Sequence, residues 1–100
     1  MKTPEGYEKD DIKKYLDHLG AYHFSPTQVG YGQQTVDILA CIVGTFWGIE
    51  VKRPGKAPTP RQELKMEEIR KAGGYAVAGD AAFVISEISH WYKLRMKDFK

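Results

Sequence analysis

Two β-rich runs that almost abut, Val36-Asp37-Ile38-Leu39-Ala40-Cys41-Ile42-Val43 and Phe46-Trp47-Gly48-Ile49-Glu50-Val51-Lys52, constrain this chain more than any other part of it. Only Gly44-Thr45 separates them, which suits a two-residue hairpin turn and makes the runs antiparallel neighbours. With that turn, Asp37 faces Lys52 and Leu39 faces Glu50. Opposed residues share a face of the sheet, as do residues two apart on one strand, so Asp37, Glu50 and Lys52 project together. The other face carries Ile38, Ala40, Ile42, Trp47, Ile49 and Val51, a set suited to a core. A three-residue turn would reverse the parity and part the two carboxylates.

The remaining elements follow from periodicity and punctuation. Ile12, Tyr15, Leu16 and Leu19 recur at helical spacing and predict a helix from about Tyr7 to Leu19, closed by Gly20. Ala21 to Phe24 alternates as a short strand, and Ser25 to Gln34, broken by Pro26, Gly30 and Gly32, reads as irregular. After the hairpin, Arg53 to Pro58 forms a basic Pro/Gly loop. Thr59-Pro60-Arg61-Gln62 then opens a helix, with Thr59 as N-cap, Pro60 at the first helical position and Gln62 completing a capping box. That helix runs to about Ala72 and stops at Gly73-Gly74. A strand from Tyr75 to Ala78 follows, then a helix from Ala81 to about Met96 whose apolar stripe holds Val84, Ile85, Ile88, Trp91 and Tyr92. The order α-β-β-β-α-β-α belongs to an α/β (α+β) fold with a mixed sheet flanked by helices. At 100 residues it makes one domain, residues 1–100.

Charge does not by itself point to a partner: the formal net charge is +2 and the sequence pI about 8.6. With 42% hydrophobic and 28% charged residues the chain has the makeup of an ordinary globular domain rather than a disordered one. The single cysteine, Cys41, cannot form an internal disulfide; it reads as a small buried hydrophobe in a reduced, cytoplasmic setting. No apolar stretch reaches the length of a membrane span and no signal peptide is expected. His18, His23 and His90 lack metal-ligand spacing, and Tyr22, Trp47, Trp91 and Tyr92 read as core or interface aromatics.

Chemistry concentrates on the polar face of the hairpin. In the expected register Asp37 and Glu50 are diagonal neighbours, roughly 7–8 Å apart at the backbone, a gap that two carboxylates can bridge through one divalent ion. Phosphodiester hydrolysis needs a neutralised phosphate, a hydroxide-like nucleophile and a stabilised leaving oxygen, and oxygen-liganded Mg²⁺ or Mn²⁺ serves all three. The backbone carbonyl of Val51 offers a further oxygen, and Lys52 a fixed positive charge for the water or the phosphate. Arg53, Lys56, Arg61 and Lys65 are candidate phosphate contacts on DNA. The plainer alternatives are a solvated strand face with a Lys-Glu pair and a generic basic surface.

The run Gly32 to Gln62 closely resembles the VRR-NUC branch of the PD-(D/E)XK nucleases: Asp37, then Glu50-Val51-Lys52-Arg53-Pro54-Gly55, then Thr59-Pro60-Arg61-Gln62 opening a helix. The element order resembles that restriction-endonuclease-like core over nearly the whole chain. Val36 stands where many members carry proline before the aspartate, and the interval from Gly32 to Asp37 is longer. The resemblance implies a Mg²⁺- or Mn²⁺-dependent DNA nuclease with catalytic Asp37, Glu50, Lys52 and Gln62. It also implies a metal-ligating glutamate from the first helix, assigned to Glu8 with Asp11 as the alternative. Glu8 also reads as a helix-start carboxylate, and Gln62 as a capping residue that needs no substrate. Small stand-alone members imply a phage-encoded homodimer acting on branched DNA such as Holliday junctions, with Trp91 among the apolar residues of the last helix at the interface. Two other functions remain open: a catalytically weak DNA-binding module on this fold, and an interaction protein that only borrows it.

Overall fold

The structure, a computed structural model, describes residues 2–27 and 34–97. Its elements are α1 (Pro4–His18), β1 (Tyr22–Phe24), β2 (Ile38–Ile42), β3 (Thr45–Val51), α2 (Pro60–Lys71), β4 (Tyr75–Gly79) and α3 (Ala81–Lys97), in the expected order. The strands form one sheet, β1-β2-β3-β4, in which β1, β2 and β3 are antiparallel and β3 and β4 parallel. Parallel neighbours need a crossover, and α2 supplies it. Within the stretch expected to be irregular, residues 28–33 lie outside the described residues.

The hairpin turns one residue earlier than expected. Val43 and Gly44 occupy the turn, with φ of 47° and 72°, and Ile42 pairs with Thr45. A turn with positive φ at both central positions matches the twist of the flanking strands. Placing glycine second removes the strain there and frees β-branched Thr45 to begin β3. Ile38 therefore opposes Ile49 and Leu39 opposes Gly48, so that Asp37 falls across from Glu50 rather than Lys52. Each residue's partner has moved by two positions, an even number, which keeps every side chain on its expected face.

Ile12 and Leu16 of α1 and Val84 and Ile88 of α3 cluster with Ile38, Ala40, Ile42, Trp47, Ile49, Val51 and Val77, forming the core on one side of the sheet. The α2 helix crosses the other side, and Gly48 is what lets it approach. A Cβ at Gly48 would stand 2.4 Å from Ile69 Cδ1 and 3.2 Å from Val36 Cγ2. Trp47 stacks on Tyr75 at 4.8 Å between ring centroids and meets Trp91 edge-on at 5.4 Å. Cys41 is exposed, not buried, because it alternates with Ala40 and Ile42 and points to the face that holds exposed Phe46 and Tyr22. Tyr22 is likewise on the surface rather than in the core.

The α1 helix begins at Pro4, ahead of the expected Tyr7, with Thr3 as N-cap and its Oγ1 accepting from the Gly6 amide at 3.0 Å. Thr3-Pro4 is the same start signal as Thr59-Pro60. The extra turn brings Glu5 onto the helix. Among the described residues no helix is long and apolar enough to cross a membrane.

Candidate active site

The site forms where β3 outlasts β2. Antiparallel pairing stops at Ile38 and Ile49, while β3 continues through Glu50 and Val51. The Val51 amide donates to Asp37 Oδ2 at 2.8 Å, so a side chain takes over from the ladder and holds Asp37 at the strand end. Glu50 is only 3% exposed. Its Oε2 accepts from Gln62 Nε2 at 3.0 Å and lies 4.0 Å from Lys52 Nζ. The other end of the same Gln62 side chain, Oε1, accepts from the Thr59 amide at 2.9 Å, while Thr59 Oγ1 accepts from the Gln62 amide at 3.2 Å. The capping role and the site contact, which compete on paper, are made together by opposite ends of one amide.

Burial pushes the Glu50 carboxyl up to about 8, and its hydrogen bonding with Asp37 and the Asp37 charge push in the same direction. Lys52 opposes the shift and the more distant Glu5 adds to it. A carboxylate pair of this kind is unfavourable without a cation, and a divalent ion fits the donors present. Asp37 and Glu50 would supply the carboxylates, and the carbonyl of Val51, the last residue of β3, is the main-chain candidate. Among the described residues no three Asp, Glu, His or Cys side chains converge as a metal cage. Two carboxylates and a carbonyl suit Mg²⁺, which keeps several waters when bound.

No protein-family model matches the sequence, and no curated protein matches it. A solved structure described as a "VRR_NUC domain" aligns with a TM-score of 0.76 and 24% identity, over 90% of this chain and 98% of that one. The chain has the fold of a VRR-NUC domain.

Of the acids of α1 it is Glu5, which periodicity left outside the helix, that shares a depression with Asp37; Glu8, assigned there from the sequence, does not line it. Glu5 lines two depressions, one with Asp37, Val51, Thr3, Gly6 and Lys9, the other with Lys52, Arg53, Lys56, Ala57 and Thr59. Glu8 is engaged elsewhere: its Oε1 accepts from the Ala81 amide at 2.7 Å and caps α3. Asp11, the alternative, lines neither depression. The missed signal was Thr3-Pro4, which starts α1 early enough to carry Glu5. The expected basic cluster divides. Arg53 and Lys56 border the site, whereas Lys65 lies 3.4 Å from Glu68 and lines a separate groove with Leu39, Phe46 and Ile69. Arg61 is exposed in the first turn of α2. Lys9, which the sequence reading passed over, sits one helical turn from Glu5.

Proposed function

We infer that the protein is a metal-dependent DNA endonuclease of the VRR-NUC family, hydrolysing phosphodiester bonds. The observation that carries this reading is the buried Glu50 carboxyl set beside Asp37, with Lys52 and Gln62 on the same oxygen. The VRR-NUC fold supports it. Asp37 and Glu50, with the Val51 carbonyl, are the residues to hold Mg²⁺ or Mn²⁺, and Glu5 lines the depression beside Asp37. A divalent ion bound there supplies charge neutralisation at the phosphate and lowers the pKa of water. Gln62, anchored to the start of α2, orients the Glu50 carboxylate toward that position. The Lys52 ammonium, drawn to the Glu50 edge, presents a fixed positive charge to the attacking water or the developing phosphorane.

Structure selectivity for branched DNA, including Holliday junctions, and a phage-encoded homodimer in the host cytoplasm complete the proposal. Trp91 is taken up by packing on Trp47, so an α3 interface would use Phe83 and Leu94, which are 50% and 55% exposed. The test is cleavage of labelled single-stranded, duplex, flap and four-way-junction DNA with Mg²⁺, Mn²⁺ or EDTA, comparing wild type with Asp37→Ala. Metal-dependent cutting that the variant lacks supports the nuclease and ranks its substrates. Binding without cutting by either protein favours the DNA-binding module instead.

A further inference from the structure

Two depressions share the Glu5 wall, one bordered by Asp37 and Val51 and the other by Lys52. Each carries its own basic side chains, Lys9 on the Asp37 side and Arg53 and Lys56 on the Lys52 side. Glu5 and Lys9 are four residues apart on α1, hence on one face and separated by about one turn, 5.4 Å. Lys9 is half-buried, and among the described residues no ion pair occupies it. A basic side chain held beside acids without an ion-pair partner is poorly explained as a stabilising surface charge, because such charges contribute little even when paired. It is well explained if an anion enters the depression it lines.

We propose that the site is a two-sided phosphate track: Lys9 holds the phosphate on the Asp37 side of the cut, and Arg53 with Lys56 holds the one on the Lys52 side. The substrate strand then runs across Glu5, from the start of α1 to the loop after β3. This rests on the nuclease reading and adds a direction to it, since the strand can no longer lie along either depression alone. Lys9 acts here as a positioning residue. Its contact sets where the scissile phosphate rests against Asp37 and Glu50, and it carries no information about base sequence.

The first arm of the experiment measures binding of labelled duplex DNA in EDTA between 50 and 200 mM salt for wild type, Lys9→Ala, Lys9→Arg and the Arg53→Ala/Lys56→Ala double variant. Each lost phosphate contact flattens the logarithmic salt slope by about 0.9, equivalent to about 3.5-fold less change in affinity across that range. Lys9→Ala is expected to lose one such step and Lys9→Arg to retain it. The second arm measures cleavage of strands carrying a single neutral methylphosphonate next to the cut. Neutralising the phosphate on one side should slow wild type and leave Lys9→Ala no slower than it already is. Neutralising the other side should behave in that way for the Arg53/Lys56 variant. An unchanged salt slope in Lys9→Ala, or an equal response of all variants to every neutral phosphate, overturns the track while leaving the nuclease reading intact. Failure of wild type to bind or cut any DNA overturns both.

Discussion

Replacing Glu50 by glutamine should abolish cleavage and at the same time make the metal-free protein more stable, by an amount that grows with pH. The folded-state carboxyl titrates near 8 against an ordinary value of 4.5, so between those values the folded protein binds the proton more tightly than the unfolded chain does. Stability therefore falls as pH rises through that window, and the whole penalty is present above pH 8. Each unit of separation corresponds to about 1.4 kcal/mol, which places the penalty at a few kcal/mol. Glutamine keeps the shape and can still accept from Gln62 Nε2, but it removes the charge that Asp37 opposes and that Lys52, at 4.0 Å, partly offsets. In a domain of this size about 1 kcal/mol moves Tm by roughly 4–8 °C. Thermal melts in EDTA should thus show Glu50→Gln and wild type nearly level at pH 4.5, and the variant higher by on the order of 10 °C at pH 8.5. Divalent ion should raise the wild-type Tm and leave the variant almost unmoved; at a hundred times Kd the gain for wild type is about 2.7 kcal/mol. A Glu50→Gln that melts lower than wild type at every pH, or whose gain does not grow with pH, would refute the claim that burial beside Asp37 holds this carboxyl in an unfavourable state.

Three further substitutions separate roles that adjoin in space. Glu8→Ala should lower stability by about 0.5–2 kcal/mol through loss of the α3 cap while leaving cleavage by the folded protein unchanged; Glu5→Ala should do the reverse, raising the Mg²⁺ concentration needed for half-maximal cleavage with little change in Tm. Gln62→Glu retains an N3 acceptor for the Thr59 amide but sets a second carboxylate against Glu50, so melts in EDTA should show a loss of stability that grows with pH while kcat falls more than about tenfold. Val43→Asn should raise Tm, because the turn holds a β-branched residue at φ 47° and the left-handed region costs an ordinary side chain about 1–2 kcal/mol; no gain would argue against the turn at Val43-Gly44.

What could be read from the sequence, and what could not, divides along a physical line. The polar face of the hairpin depends only on parity, and parity survives a turn that slides by one residue on both arms; Asp37, Glu50 and Lys52 were therefore legible even though the expected pairing of Asp37 with Lys52 was not the one formed. Gln62 was legible because Thr59-Pro60 is a local signal whose meaning does not depend on the rest of the fold. The same local signal at Thr3-Pro4 was there to be used, but the apolar period begins later, at Ile12, and a helix start placed from periodicity alone fell at Tyr7. Glu5 and Glu8 lie three residues apart on one side of α1, so no pattern within the helix tells which of them meets the sheet end and which meets α3. That choice is made by the docking of α1 against Ala81 and the end of β3, a long-range packing outcome. The exposure of Cys41 has the same origin: alternation correctly sets it opposite Ala40 and Ile42, and only the placement of α2 over Gly48, not over the hairpin end, decides that its face is left open. Local chemistry thus names the candidate reacting groups, and the helices that pack around the sheet decide which of their neighbours can reach them.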